Sequence, residues 1–312
     1  MFTIDCHTHT SVSPDGNGTA EELYKKAEKI GLKALAVTEH CEVNRFFSYD
    51  YYGETPRNEF EVYFDGNIFE NAMKTLSELK KNQRDVILSA GIELGQINSN
   101  YQLTDIILKD KRLDFVIASL HELLGREDFA FIDYAKEDYR PLLDDYFSQL
   151  LEIAESGKYD VLGHITYPIR YISGEYGIKV DMEKYYPVIE KILEAVIKNG
   201  KGIEVNTSGL RQKYGKTFPD FDIIEKYRRL GGEIITVGSD AHCSDDLAKG
   251  TDKGIELVKK AGFKKISFRM LFVLIHDTDS YRFTIHRALC RALRLLLNNA
   301  YTLCVPIAYG IE

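Results

Sequence analysis

The feature that most constrains the fold is a regular alternation of short apolar segments with amphipathic stretches. Seven segments are rich in aliphatic and β-branched residues, a pattern typical of parallel strands buried on both faces. They are TID near residue 4, LKALAVT (32–38), DVILSAGIEL (85–94), LDFVIASL (113–120), YDVLGHI (159–165), KGIEVNT (201–207) and GEIITVGS (232–239). Because the strand–helix order continues to about residue 262, it predicts one α/β barrel rather than two domains.

The stretches between the predicted strands carry signals of helix ends. Thr19 followed three residues later by Glu22 predicts a capping box, and Gly31 predicts the end of the same helix. Residues 41–66 are aromatic and acidic without clear periodicity. They are predicted to form a long loop over the barrel mouth, where long loops usually shape binding sites.

Composition and net charge disfavour several classes of protein. The net charge of −8 disfavours general binding to nucleic-acid backbones, which depends on clustered Lys and Arg. The five cysteines form no C-x-x-C pair, which argues against a thiolate zinc finger and fits a reducing compartment. The chain opens directly into a strand, and no apolar run approaches ~18 residues. We therefore expect a cytoplasmic protein without a membrane segment.

Polar side chains with metal-binding chemistry stand in or after six of the seven predicted strands. They are His7, His9, Asp15, Glu39, His40, Glu93, His121, His164, Asp240 and His242. The carboxyl ends of parallel barrel strands all open on one side, so these side chains are expected around one mouth.

The spacing of these residues favours a metal site over isolated polar residues. His7 and His9, one residue apart on an extended segment, project to the same side, and Asp240 and His242 repeat that spacing. Glu93 lies inside an apolar strand, where an ionised carboxylate is costly unless it is paired or metal-bound. A single histidine is more often a core or surface residue than a ligand. The joint placement predicts a multinuclear centre.

The motifs IDCHTHTSVSPDG, AVTEH, GIELG, SLHE, GHITYPIR and GSDAH follow in this order along residues 1 to about 265. They resemble the motifs of the PHP (polymerase and histidinol phosphatase) superfamily, and NTSGLR at 206–211 is similar to a stretch of its histidinol-phosphatase branch. The resemblance implies a distorted (β/α)7 TIM-like barrel with three divalent ions, zinc, manganese or iron, at the C-terminal strand ends. It further implies hydrolysis of L-histidinol phosphate in histidine biosynthesis.

The resemblance also implies how the ligands divide among the ions. The implied sets are His7, His9, Glu93 and Asp240 for the first ion, Glu93, His121 and His164 for the second, and Asp15, His40 and His242 for the third. Many relatives carry a histidine in place of Asp15.

The ligand set predicts a reaction. A glutamate that bridges two divalent ions positions a shared water whose pKa falls toward neutrality, and the resulting hydroxide can attack a phosphate monoester directly. The predicted catalytic residues are Glu93, which bridges, and Asp240 and His242, which are candidates to protonate the leaving alkoxide.

Substrate contacts are predicted from position along the chain. Arg170 follows His164 by six residues and Arg211 closes NTSGLR; either could clamp phosphate, or be an ordinary surface arginine. Three residues of the long loop, Glu42, Tyr49 and Tyr52, are predicted to contact the cationic amine and the imidazole ring of histidinol phosphate.

Two other functions stay open. One is a PHP-type phosphodiesterase or exonuclease acting on nucleotides or nucleic acid, which the acidic balance disfavours. The other is a non-catalytic metal-binding scaffold, which the full ligand set disfavours. The favoured partner is a small-molecule phosphate monoester, with no nucleic acid and no membrane.

The chain is expected to consist of one catalytic barrel domain over 1–267 and an atypical C-terminal segment of unknown role over 268–312. The second segment has five arginines and no lysine, whereas the preceding chain is lysine-rich. It is predicted to be either a docked amphipathic helix around 285–298 or a stretch that was not selected with the rest.

Overall fold

Seven parallel strands form a nearly closed barrel. The computed structural model describes residues 3–45, 67–271 and 300–306. The barrel strands are β1 (Ile4–Asp5), β2 (Ala34–Glu42), β3 (Ile87–Gly95), β4 (Phe115–Ser119), β5 (Val161–Leu162), β6 (Gly202–Asn206) and β7 (Ile235–Gly238). Each strand pairs in parallel with the next one in chain order.

Hydrogen bonds between the two ends of the sheet close the barrel. The backbone N–H of Cys6 donates to the carbonyl of Val237 at 3.0 Å, and that of His9 donates to the carbonyl of Ala241 at 2.8 Å. These hydrogen bonds hold the segments that follow β1 and β7 side by side. The predicted seven-stranded α/β barrel is confirmed.

Helices follow the strands and cover the outside of the barrel. They are α1 (Ala20–Ile30), α2 (Asn67–Lys81), α3 (Tyr101–Ile107), α4 (Tyr139–Ser156), α5 (Tyr186–Lys198), α6 (Phe221–Arg229) and α7 (Thr251–Lys260). The predicted capping box is confirmed: the Thr19 backbone N–H donates to Glu22 at 2.7 Å and the Glu22 N–H donates to the Thr19 hydroxyl at 3.2 Å. Among the helices of the described residues, none combines the length and apolarity needed to cross a bilayer.

The strand β2 is longer than predicted. It continues past Thr38 to Glu42, because it pairs residue for residue with β3 along nine positions. The first residues of the predicted 41–66 loop therefore belong to this strand and a short 3-10 turn, Val43–Arg45. Residues 46–66, with Tyr49 and Tyr52, lie outside the described residues.

A two-stranded antiparallel sheet follows the barrel. Its strands are β8 (Lys265–Leu271) and β9 (Ala300–Pro306). Ile266 and Phe268 of β8, on either side of residue 267 where the barrel is predicted to end, are buried in the core. The division at this residue stays a prediction. The helix predicted around 285–298 lies outside the described residues.

Candidate metal centre

A first cluster of ligand atoms forms where β1 and β7 meet. His7 and His9 are fully buried, and neither Nε2 atom has a hydrogen-bonding partner among the described residues. The His7 Nε2 lies 3.2 Å from Glu93 Oε2, and the His9 Nε2 lies 3.4 Å from Asp240 Oδ1. Buried polar atoms normally find partners. Two unpartnered imidazole nitrogens facing two carboxylates fit a divalent cation.

A second cluster forms on the other oxygen of Glu93. Its Oε1 lies 2.7 Å from the Nε2 of His164 and 3.1 Å from the Nε2 of His121. These two nitrogens are 3.3 Å apart. Two imidazole lone pairs at that distance repel each other unless a proton or a cation lies between them. Glu93 Oε2 also lies 3.1 Å from the Nδ1 of His40. The carboxylate of Glu93, 1% exposed, therefore has histidines on both of its oxygens.

A third cluster lies at the outer edge of the cavity. The Oδ1 of Asp15 is 3.5 Å from the Nε2 of His40, and its Oδ2 is 3.1 Å from the Nε2 of His242. The side chains of Asp15 and His242 are about one-third exposed, at 33% and 32%. The structure thus brings all nine predicted metal ligands together, and this group of three is the most accessible to solvent.

Burial and charge set the protonation of the ligands. Burial and the charge of His40 lower the pKa of His9 to about 3, so this ring is neutral at pH 7. Burial would also lower the pKa of His7, but the nearby carboxylates, Glu204 first, hold it well above its usual value. Burial opposes ionisation of Glu93, yet the surrounding imidazoles keep its pKa well below the usual value. The three clusters bring several carboxylates together, and bound cations would neutralise their negative charge.

The backbone at Asp240 adopts an uncommon conformation. Its φ of 56° lies in the left-handed region, which costs energy for residues other than glycine and is best tolerated by Asp and Asn. Ser239 separates the residue from the end of β7, and the Asp240 N–H donates to the carbonyl of His7 at 2.8 Å. This turn places the carboxylate beside the first cluster.

Glu42 contacts His121, one of the predicted metal ligands. Its Oε1 accepts from His121 Nδ1 at 3.0 Å and its Oε2 accepts from Gln96 Nε2 at 2.8 Å. Burial would raise the pKa of Glu42, but the His121 charge lowers it to about 2. A Cβ atom at Gly95 would overlap this carboxylate, so a larger residue there would displace Glu42 from its present position. The contacts favour orientation of His121 over the predicted contact with substrate, although Glu42 does line the cavity.

The two predicted phosphate-binding arginines occupy different places. Arg170 lines the cavity, donates to Ser208 Oγ at 3.0 Å and lies 3.4 Å from Asp240 Oδ2, with its guanidinium over the Tyr167 ring. Arg211 donates instead to the carbonyl of Ser239 at 2.9 Å and that of Asp240 at 3.3 Å. It holds the turn that carries Asp240 and is not among the cavity-lining residues.

The cavity over the three clusters has a volume of about 200 Å³. Besides the ligands, its wall includes Tyr167, Arg170, Glu122 and Asp128. Burial raises the pKa of Asp128 to about 6, although the charge of His121 opposes the shift. The cavity therefore combines a cationic wall at Arg170 with an acidic wall.

The cysteines beside the ligands pack away from the centre. Cys6 and Cys41 are buried, and burial raises the pKa of both thiols well above the usual value. The Cys6 thiol lies 3.9 Å from the carbonyl of Ser267 in β8. These contacts agree with packing behind the site rather than thiolate ligation.

Sequence reasoning missed Glu204 of β6. Its carboxylate is fully buried and lies 2.6 Å from His7 Nδ1. The signal was available, because Glu204 interrupts the apolar segment KGIEVNT just as Glu93 interrupts its own strand.

The fold and the site define a parallel (β/α)-barrel protein whose histidine and carboxylate clusters could hold metal ions. A profile of the PHP domain matches residues 5–208, and the chain belongs to the PHP domain family.

Proteins named as histidinol-phosphatases are similar to this chain over most of its length. A Thermotoga maritima protein named probable histidinol-phosphatase is 29% identical over 266 residues, which span 85% of this chain and 94% of that protein. The histidinol-phosphatase of Lactococcus lactis subsp. lactis is 26% identical over 276 residues, spanning 86% and 94%.

A solved structure shares the fold. It is histidinol phosphate phosphatase from Lactococcus lactis subsp. lactis complexed with zinc, L-histidinol and phosphate. The TM-score is 0.70 at 24% identity, with 85% of this chain and 95% of that chain covered.

Proposed function

We propose that the protein is a metal-dependent phosphatase that hydrolyses L-histidinol phosphate to L-histidinol and phosphate in histidine biosynthesis. The observation that carries the proposal is the geometry of Glu93, whose two oxygens face different histidines at the base of one cavity. Its Oε2 faces His7, His9 and His40, and its Oε1 faces His121 and His164. Relatives named histidinol-phosphatase that cover most of the chain support the choice of substrate.

Three divalent ions are proposed, with zinc favoured because it is bound in the related structure. The three ligand sets are His7, His9, Glu93 and Asp240; Glu93, His121 and His164; and Asp15, His40 and His242. Bound there, such ions would lower the pKa of water toward neutrality and polarise phosphoryl oxygens.

The side chains of this chain divide the remaining work. Arg170 offers its planar fork to a phosphate at the cavity wall. His242, partly exposed at the rim, is proposed to deliver the proton to the leaving alkoxide because, although burial opposes the shift, the hydrogen bond to Asp15 raises the pKa of its ring. Burial would raise the pKa of Asp240, but the charge of His7 holds it well below the usual value, so Asp240 is ionised and is proposed as a ligand. The acidic wall at Glu122 and Asp128 suits the cationic amine of histidinol.

We expect Arg170→Ala to raise KM for histidinol phosphate about tenfold or more, because a charge-assisted contact to phosphate is lost. Steady-state kinetics would measure this. The matched control is Arg140→Ala, which removes an exposed arginine paired with Asp138 and should change neither KM nor kcat. An unchanged KM in Arg170→Ala would contradict the phosphate role.

The proposed function is tested by phosphate release or bond cleavage with three substrates: histidinol phosphate, a dinucleotide and a generic aryl phosphate. The proposal expects the highest kcat/KM with histidinol phosphate. Preferred cleavage of the dinucleotide would favour the phosphodiesterase instead, and zinc-loaded protein inert to all three would favour a scaffold.

A further inference from the structure

One buried carboxylate contacts two of the ligand clusters from behind. Glu204 is fully buried in β6, and its Oε1 lies 2.6 Å from the Nδ1 of His7, a ligand of the first cluster. Its Oε2 accepts the backbone N–H of His164, a ligand of the second cluster, at 3.0 Å. The two oxygens of a single side chain thus contact residues from two sets of proposed ligands.

The surrounding chain is shaped to allow this contact. A Cβ atom at Gly238 of β7 would come within 2.7 Å of Glu204 Oε1 and would overlap the side chain of His7. Glycine at this position lets the two side chains meet. Among the described residues, the only side chain in ion-pair contact with Glu204 is His7. A buried carboxylate is costly unless it is compensated.

The contact fixes the orientation and tautomer of His7. A carboxylate only accepts hydrogen bonds, so it selects the form in which Nδ1 carries the hydrogen. The Nε2 lone pair then faces the first cluster, 3.2 Å from Glu93 Oε2 and 3.7 Å from Asp240 Oδ1. Such a second carboxylate also makes the ligating nitrogen more basic.

We propose that Glu204 is a positioning residue that organises two metal clusters at once, through the His7 ring and through the His164 backbone. The proposal rests on the metal-binding part of the proposed function and not on the identity of the substrate. It predicts that loss of Glu204 weakens metal binding in both clusters that share Glu93, while the third cluster at Asp15, which Glu204 does not contact, keeps its metal.

Two variants test the proposal, with zinc stoichiometry and zinc affinity as the readouts. We expect Glu204→Ala to weaken zinc binding at the two clusters about 100-fold and Glu204→Gln about 10-fold. Glutamine is intermediate because its oxygen can accept from one donor, whereas its NH2 must face the other. Competition with a chromophoric chelator and elemental analysis after dialysis would measure both quantities.

A matched control separates this effect from the loss of any buried carboxylate. Asp114, 3% exposed, accepts from the Ala90 N–H at 2.7 Å and pairs with Lys80 at 2.6 Å, and neither of these partners is a proposed ligand. Asp114→Asn should keep wild-type zinc affinity even if its Tm falls. In Glu204→Gln, the zinc-induced rise in Tm should shrink relative to wild type.

The tautomer of His7 gives a test that needs no variant. Nitrogen-15 NMR of the zinc-loaded wild type should show His7 protonated at Nδ1. Protonation at Nε2, or wild-type zinc affinity and stoichiometry in Glu204→Ala, would overturn the proposal. If the wild type binds zinc but does not hydrolyse histidinol phosphate, only the proposed substrate fails.

Discussion

Glu93→Gln is expected to lower kcat for histidinol phosphate by on the order of 1,000-fold or more. In the wild type, one oxygen of Glu93 faces His7 and the other faces His121 and His164. Glutamine keeps one oxygen but turns the other position into an NH2 group, which cannot ligate a cation. The variant therefore separates the two clusters that the carboxylate joins, and it removes the charge that compensates bound cations.

The effect of Glu93→Gln must be separated from unfolding and from simple loss of a buried charge. Thermal unfolding and elemental analysis of the same preparation would show whether the variant is folded and how much metal it holds. Asp114→Asn, whose carboxylate lies away from the ligands, should retain most of the activity. A folded Glu93→Gln variant with near wild-type kcat would contradict a bridging role.

Removal of metal is expected to abolish activity. Because all the proposed ligands are nitrogen or oxygen atoms of His, Asp and Glu, dialysis against a strong chelator should reduce phosphate release to background, and added Zn²⁺ or Mn²⁺ should restore it. Restoration shows that the loss is not denaturation. Full activity after chelation, with no metal found by elemental analysis, would contradict the account.

The loss of metal is expected to increase as the pH falls. Burial would lower the pKa values of His7 and His121, but the adjacent carboxylates, Glu204 and Glu93 respectively, hold both well above the usual value. Protons therefore compete with metal for these rings, and the competition grows as pH falls. At the same free Zn²⁺ concentration, set by a metal buffer at each pH, elemental analysis should find less bound zinc at mildly acidic pH than at neutral pH.

The barrel and the gathering of these histidines and carboxylates at one place follow from the sequence for the same physical reason. Parallel strands buried on both faces are continuous apolar runs, so a charged residue within one, such as Glu93, stands out. Histidines at the ends of those runs then fall on one rim, because parallel strands share a direction. The local spacing of His7 and His9 required only the geometry of an extended chain.

The roles that were not predicted depend on contacts between distant strands. The end of β2 at Glu42 follows from its pairing with β3, which no local pattern encodes. Arg211 is one of two candidate phosphate contacts from sequence, and its hydrogen bonds to the carbonyls of Ser239 and Asp240 depend on how two loops meet. The support that Glu204 gives to His7 likewise links β6 to β1, far apart in the chain.

Glu93 is proposed to lie between two bound cations at the base of the cavity. Anomalous diffraction at the zinc edge, from crystals of the zinc-loaded protein, would locate these cations. We expect one peak among His7, His9, Glu93 and Asp240 and a second among Glu93, His121 and His164. Crystals of catalytically active protein with no anomalous peak on either side of Glu93 would contradict this proposal.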